Sequence, residues 1–405
     1  MENKFNNRAV ITGIGTISSL GRNVSETIDS LEKNRVNFKE VPITRFPTNN
    51  KVLRTKRIFQ IPEEDYLGYK DKDLSVLGIV TCLCIEQAMH SAHVSREDFA
   101  HARTSFSLGM SVSTTFVREK VVFDRVMKHQ QDWELIKYST PRMICDMVKD
   151  FGVNGVVSVT STACASGTTS IGRACDLIRN GRADFVICGG IDIVSQLAFN
   201  GFNSLLALSH HQCEPFGLNR DGMSLGDGCA MFVLESYESA LRRHADIYAE
   251  VPGYYILNEA YHPTSPHPDG IYAYRCMKEA LRDSGLKIDA IDYINAHGTG
   301  TKMNDGAEFK AIDRLAEEKA EPICFNSTKG MTGHTLGAAG SLEALVCILS
   351  MQNNSLYGDG RNYDALSSPK SIYVNRNKPN TTVRTCLSNS FAFAGNMASI
   401  VLKKL

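Results

Sequence analysis

Where a short β-branched run gives way to a helix of small residues, the chain carries Cys164, within Thr160-Ser-Thr-Ala-Cys164-Ala-Ser-Gly-Thr-Thr. A thiol at a helix N-terminus faces unpaired N–H groups and the positive end of the helix dipole. Both favour the thiolate and lower the pKa from about 8.5. The sequence therefore predicts an activated nucleophile. Ala163, Ala165, Ser166 and Gly167 around it are small enough to admit close backbone approach or a substrate. Two histidines lie in glycine-punctuated turns: His297 in Asn295-Ala-His297-Gly-Thr-Gly-Thr301, after a strand, and His334 in Lys329-Gly-Met-Thr-Gly-His334-Thr-Leu-Gly-Ala-Ala-Gly. One such histidine is more often a satisfied core or loop residue. Two, beside a candidate cysteine, point to acyl transfer, with the sulfur acylated and imidazoles acting on a carbonyl. The other eleven cysteines take the inert, buried reading.

Positioning three such residues needs a layered scaffold. Ala9 to Ile11, Val156 to Thr160, Phe185 to Cys188, Ala230 to Leu234, Tyr293 to Ala296, Ile323 to Asn326 and Ser399 to Leu402 read as buried strands. Helix-length patterns run over Leu74 to Ala92, Ser166 to Arg179, Ile271 to Asp283, Ala307 to Leu315 and Ala338 to Gln352. The alternation predicts an α/β protein with helices packed on sheets. The segments around Cys164 and His334 both read as strand, Ser/Thr-rich turn, then small-residue helix, as two halves of a duplicated fold would. A boundary near residue 250 follows, with halves 1–250 and 251–405.

Lys plus Arg and Asp plus Glu both total 44 of 405 residues, so no global charge attracts polyphosphate or an anionic membrane, and a nucleic-acid partner is not expected. Lys51, Arg54, Lys56, Arg57, Lys70 and Lys72 form the one basic cluster; a solvated face is its simpler reading. Twelve scattered cysteines without a Cys-x-x-Cys pair suggest reduced thiols. No metal site is expected, since Cys82, Cys84, His90 and His93 lack ligand spacing. Nothing approaches a membrane span or a signal peptide, so the expected location is cytoplasmic.

In order along nearly the whole chain, Arg8-Ala-Val-Ile-Thr-Gly-Ile-Gly, the cysteine segment, Gly189-Gly-Ile-Asp, Ala207-Leu-Ser, Glu214-Pro-Phe-Gly-Leu-Asn-Arg220-Asp-Gly, Gly226-Asp-Gly and Asn389-Ser-Phe391-Ala-Phe-Ala-Gly395 resemble the β-ketoacyl-acyl carrier protein synthases of the thiolase-like superfamily. The resemblance implies a five-layered αβαβα fold of two similar halves, a dimer, and a Cys-His-His triad at Cys164, His297 and His334. It implies that Cys164 takes an acyl chain from the phosphopantetheine arm of an acyl carrier protein, with no other bound cofactor. The histidines then hydrogen-bond a malonyl thioester oxygen while carbon dioxide leaves, which calls for neutral imidazoles. The backbone N–H groups of Cys164 and Phe393 would form an oxyanion hole. Lys329 would pair with Glu308 in a buried ion pair, Asp305, Thr299 and Thr301 would support the site, and Phe391 and Phe393 would gate the acyl chain.

Residues 296–308 look more like polyketide ketosynthases, including the alpha subunits of type II aromatic systems. The C-terminal loop departs from the family pattern, with Ala392 and Ala394 where glycines are usual, and alanine does not easily adopt positive φ. A thiolase would carry a second cysteine in that loop, and chain-initiating synthases usually carry Asn where His334 stands. A chain-length factor, the non-catalytic partner of a heterodimer, would lack Cys164. The dimer mate could be a second copy or such a factor. Carrier-protein docking is expected near Lys70 and Lys72, and pocket lining from Ser107 to Phe116, Thr140 to Met147, Phe199 and Phe202.

Overall fold

The computed structural model describes residues 8–41, 53–62, 64, 75–112, 115, 119, 125 and 139–405. Its strands, in chain order, are β1 (Ala9–Ser18), β2 (Phe38–Glu40), β3 (Arg57–Phe59), β4 (Thr104–Gly109), β5 (Val157–Thr160), β6 (Phe185–Asp192), β7 (Gly228–Ser236), β8 (Ala249–Asn258), β9 (Tyr293–Asn295), β10 (Ile323–Asn326), β11 (Ser371–Tyr373), β12 (Thr385–Phe391) and β13 (Asn396–Lys403). Its helices are α1 (Val24–Glu32), α2 (Val76–Ser91), α3 (Arg96–His101), α4 (Thr140–Asp150), α5 (Ser166–Arg179), α6 (Gln196–Ser204), α7 (Tyr237–Arg242), α8 (Ile271–Ser284), α9 (Lys302–Ala316), α10 (Lys329–Thr332) and α11 (Ala339–Asn353).

Two sheets of matching design are joined where β1 meets β8 through two residue pairs, Val10 with Glu250 and Ile11 with Ala249. The first runs β1-β7-β6-β4-β5, with two antiparallel pairings followed by two parallel ones. The second runs β8-β13-β12-β9-β10 with the same sequence of orientations, and β11 extends it. Both α5 and α11 touch strands of both sheets, while α2 covers the first sheet from outside and α8 the second. The result is the expected α/β layering, helix, sheet, helices, sheet, helix.

The sequence explains the central layer. In α11 every residue from Ala339 to Met351 is buried, so the helix is apolar nearly all round, as a helix between two sheets must be. Close crossing with α5 needs glycine: a Cβ on Gly340 would lie 2.0 Å from Thr168 Oγ1, and one on Gly167 would lie 2.8 Å from Ser341 N. The small residues that mark both segments in the sequence are thus the ones that let the helices, and the turns ahead of them, come together.

One strand expectation is corrected. β5 is an edge strand and not a buried one, and it leaves Val157 and Val159 40% and 43% exposed. An edge strand of a parallel run has a free row of backbone donors and acceptors, and valines on its open face need cover. Among the described residues, no helix is long and apolar enough to cross a membrane.

Candidate functional site

Cys164 sits on a single tight turn, Ala163–Ala165, between β5 and α5. Ala163 takes φ +49°, a left-handed conformation that costs a non-glycine residue about 1 kcal/mol. The neighbouring bonds over-determine it: Thr162 N donates to Ser166 Oγ (2.9 Å), and Ser166 Oγ donates to Ala163 O (2.6 Å). The turn thereby carries the sulfur from the end of β5 to the ring of His334.

His334 follows α10 and Gly333, whose φ of +66° turns the chain inward. Its backbone N–H donates to Ser224 O (2.7 Å), and its carbonyl accepts from Gly226 N–H (3.0 Å), so the Gly226-Asp-Gly stretch is one wall of its seat. His334 Nε2 lies 2.9 Å from Cys164 Sγ, while Nδ1 finds no partner among the described residues. His297 follows β9, and its ring meets that of His334 edge-to-face, with centroids 5.3 Å apart at 85°. Phe391 also packs against His297, with ring centroids 6.1 Å apart.

The structure changes the assignment of the carboxylates. Glu308 does not pair with Lys329. Its two oxygens accept the backbone N–H groups of His297 (2.7 Å) and Gly298 (2.8 Å), with Asn389 Nδ2 at 3.2 Å. Lys329 Nζ instead bonds Glu343, donates to His297 O (2.6 Å), and lies 3.3 Å from His297 Nδ1. The pair Lys329–Glu343 is fully enclosed. The physical reason is direction: α9 brings Glu308 to the backbone edge of the His297 turn, while α11 runs beneath the ring. Glu343 is the functional residue that the motif reading missed. Its signal was present, as the one acidic residue inside the apolar run from Ala338 to Met351, because a charge there must find a partner.

Asp305 accepts the N–H groups of Thr299 (2.9 Å), Gly300 (3.0 Å) and Phe216 (2.7 Å), which fixes the glycine turn after His297. Thr299 and Thr301 share a hydroxyl hydrogen bond of 2.9 Å, and both line the cavity.

Burial sets the protonation states. It pushes both imidazoles well below their ordinary value of 6.5, and the charge of Lys329 acts in the same direction, so both rings are neutral. Since Lys329 Nζ can only donate, His297 Nδ1 accepts and its proton sits on Nε2. Burial pushes the Glu308 and Glu343 carboxyls up to about 7, with backbone donors and Lys329 respectively pulling back. Cys164 corrects an expectation: desolvation pushes its thiol up to about 12, and only Lys329 and a backbone hydrogen bond oppose the rise. The resting sulfur is therefore a neutral thiol against a neutral imidazole. The dipole argument from sequence left out burial, which here is the larger effect.

Cys164, His297 and His334 open onto one cavity of about 600 Å³. Its wall includes Ser111 and Val112, from the expected Ser107 to Phe116 stretch, together with Phe202, Phe391 and Phe393, and the rings of Phe202 and Phe393 meet at a tilt of 52° with centroids 5.7 Å apart. Thr140 to Met147 does not line it, because α4 packs its apolar face into the core beneath the first sheet; Phe199 is likewise core, and Phe116 lies outside the described residues. Leu197, Leu205, Leu206 and Met303 line the cavity yet remain more than half exposed, which marks an apolar rim. Lys70 and Lys72 lie outside the described residues.

The C-terminal loop shows what its two alanines do. Ala392 is extended at φ −132° and needs no glycine, whereas Ala394 is left-handed at φ +62°. Ala394 N donates to Pro263 O and Asn258 Nδ2 to Ala394 O, both at 2.7 Å, and Glu259 N donates to Gly395 O at 2.9 Å. These bonds latch the turn that carries Phe393 onto residues 258–263 and offset the strain. Among the described residues, no group of three or more His, Cys, Asp or Glu is placed to hold a metal ion.

Residues 6–240 match the family description "Beta-ketoacyl synthase, N-terminal domain", and residues 248–358 match "Beta-ketoacyl synthase, C-terminal domain". The chain is 32% identical to a 3-oxoacyl-[acyl-carrier-protein] synthase 2 of Synechocystis sp., over 100% of both chains. Among solved structures it is similar to the ishigamide ketosynthase/chain length factor (30% identity, TM-score 0.88, 98% of this chain and 99% of that one). It is also similar to a type II polyketide ketosynthase bound to a hexaketide in complex with its acyl-carrier protein (28% identity, TM-score 0.87, covering 98% and 99%).

Proposed function

This chain belongs to the β-ketoacyl synthase family, and from that premise we propose that it extends a carrier-bound acyl chain by two carbons, with Cys164 as the nucleophile and His297 and His334 as the donors. The observation that carries the reading is the 2.9 Å contact between Cys164 Sγ and His334 Nε2, on the wall of a cavity that His297 also lines.

In the first half-reaction Cys164 Sγ attacks the acyl thioester carbon. The bond from that carbon to the phosphopantetheine sulfur breaks, and the thiol proton passes through His334 Nε2 to the departing sulfur. A general base is needed at that moment because the resting thiol is neutral. The backbone N–H groups of Cys164 and Phe393 are the proposed donors to the tetrahedral oxygen; one such donor contributes about 3 kcal/mol.

In the second half-reaction the malonyl thioester loses carbon dioxide, and the electron pair of the broken C–C bond flows to its carbonyl oxygen. His297 Nε2–H and His334 Nε2–H hydrogen-bond that oxygen. Nδ1 of His334 has no partner among the described residues that would hold one tautomer: the ring accepts from the thiol at Nε2 in the first half-reaction, and before the second it releases its Nδ1 proton to water and takes one up at Nε2 from water in the open cavity, so that it donates once the sulfur is acylated. The enolate carbon then attacks the acyl carbon. The C–Sγ bond breaks, and the sulfur regains a proton from solvent. Neutral donors buried from water suit this step, since charge develops on oxygen where solvent is excluded.

The acyl carrier protein is the proposed partner, closing over the apolar rim; the dimer mate is a second copy or a chain-length-factor subunit, meeting the exposed valines of β5. The proposed halves are 1–250 and 251–405, supported by the repeated strand order, and the proposed location is cytoplasmic. The chain-length-factor reading for this chain itself is disfavoured by Cys164. Intact-mass measurement after incubation with a panel of acyl carrier proteins, then malonyl carrier protein, tests the function. An acyl adduct followed by a ketide two carbons longer is expected, and absence of any adduct across the panel rejects the reading.

A pH dependence follows from the buried rings. The two imidazoles should contribute no break to kcat/KM for malonyl decarboxylation as pH falls through 6.5, because neither protonates in the folded protein until well below it. The two rings by themselves lower stability over that interval, because the unfolded chain protonates them and the folded chain does not; Glu308 and Glu343, raised to about 7, take up protons in the folded chain over the same interval and offset the loss. Protonation of either ring near 6.5, read from its ring-nitrogen resonances alongside the rate profile, would contradict neutral donors with lowered pKa values; a break near 7 without it belongs to Glu308 and Glu343.

A further inference from the structure

We infer that Arg361 is a positioning residue for the decarboxylating half of the site, acting through the strap Gln212–Cys213 on the backbone that carries Lys329. This inference rests on the condensing reading above and assigns a role to a residue outside the cavity wall.

The chain of contacts is short. Arg361 Nη1 donates to Gln212 O (3.1 Å), and Nη2 donates to Cys213 O (2.5 Å). The side chains of those same two residues hold the lysine's backbone: Gln212 Nε2 donates to Gly330 O (2.6 Å), and Cys213 Sγ donates to Lys329 O (3.2 Å). One guanidinium thus fixes both main-chain positions from which the Lys329–Gly330 carbonyls are gripped.

Asp359 completes the clamp. Its Oδ2 accepts from Arg361 Nε (3.1 Å), Arg361 Nη2 (2.6 Å) and the Tyr363 hydroxyl (3.1 Å), and Oδ1 accepts the Arg361 N–H (3.0 Å). It also abuts the lysine's neighbour directly, since a Cβ on Gly330 would lie 2.5 Å from Asp359 Oδ2. The Asp359 side chain is only 3% exposed and that of Arg361 26%. A largely buried charge pair is costly to assemble and is weak support for stability by itself. Here its planar fork does what an apolar pair could not: it supplies several donors in fixed directions to two carbonyls and a carboxylate.

The consequence reaches the donors unevenly. Lys329 lies on a flexible stem whose head is set by Glu343 and by the carbonyl and Nδ1 of His297, and whose root is set by the strap. If the root moves, the ammonium leaves His297 Nδ1, and the bond that orients the His297 Nε2–H is lost. Cys213 N–H also reaches Ser224 Oγ (3.0 Å), but His334 keeps its own backbone bonds, its N–H donating to Ser224 O and its carbonyl accepting from Gly226 N–H. The Cys164–His334 pair is therefore less dependent on Arg361 than the Lys329–His297 pair is.

The test uses the full chain with Arg361→Met and Arg361→Lys. Malonyl carrier-protein decarboxylation should slow about 10- to 100-fold in Arg361→Met, the scale of an ångström-sized misplacement, while acylation of Cys164 should slow by a clearly smaller factor, because the contact with His334 is kept and Lys329 acts on the thiol only through its charge. Arg361→Lys should recover part of the loss, because an ammonium keeps the Asp359 pair but cannot serve both carbonyls. Thermal unfolding and the ring-nitrogen resonances of ¹⁵N-histidine-labelled protein are read alongside. The His297 signals should shift, and those of His334 should stay. Parallel loss of both half-reactions, unchanged decarboxylation, or unshifted His297 resonances would overturn the inference. The resonances report even if wild type neither acylates nor decarboxylates, an outcome that would reject the condensing reading instead.

Discussion

Cys164→Ala is expected to abolish the covalent acyl adduct and to lower condensation by about 10⁴-fold or more, the scale seen when a nucleophile is removed, while malonyl decarboxylation continues. The two outcomes separate because the site divides. In the proposed mechanism the sulfur holds the acyl chain, whereas the donors to the enolate oxygen are the rings of His297 and His334, whose seats do not include it: His334 is held by Ser224 and Gly226, and His297 by Glu308 and Lys329. Loss of the sulfur also leaves His334 Nε2 without its 2.9 Å neighbour, freeing it to donate. Intact mass should show no adduct with any acyl carrier protein, and carbon dioxide release from malonyl carrier protein should stay within about ten-fold of wild type. An adduct on the alanine variant would move the nucleophile elsewhere, and equal loss of both activities would mean that the two halves of the site are not separable.

The largest effect on stability is expected at Glu343. Removing it in Glu343→Ala leaves the Lys329 ammonium buried without its counter-charge, which costs about 3–5 kcal/mol, a large share of a typical folding free energy of about 5–15 kcal/mol. The double variant Lys329→Met/Glu343→Leu replaces the pair by apolar side chains of similar volume and should recover most of that stability, because neither member is then an orphan. Its decarboxylation rate should remain low, since His297 Nδ1 has lost its donor and the proton is no longer held on Nε2. Chemical unfolding and malonyl decarboxylation, measured on the three proteins, test both statements. If the double variant is as unstable as Glu343→Ala, or if it decarboxylates like wild type, then the pair does not act as a charge clamp on His297.

Local pattern and motif order together carried much of this protein. Seven strand segments and five helices were legible because buried strands and helices write their period and their β-branched or small residues directly into the sequence; Ser166 to Arg179 matches α5 end to end. β4 and β12 carry no such signal, since Thr104–Gly109 and Thr385–Phe391 are rich in serine and threonine, and only their place inside the sheets makes them buried. The valines of β5 read as buried, but edge or interior is a property of neighbours that a single strand does not encode.

At the site, the sequence by itself determined which residue types stand at which turns: a cysteine after one strand, a histidine after another, and a second histidine before a small-residue helix, each placed by glycines and alanines that few other side chains could replace. The tertiary structure alone decided who pairs with whom and in what charge state. Lys329 meets Glu343 and not Glu308, and the Cys164 thiol is raised where its helix terminus argued for lowering. Spacing along a chain constrains local geometry, but pairing depends on which elements the fold stacks together, and protonation depends on how much water that stacking removes.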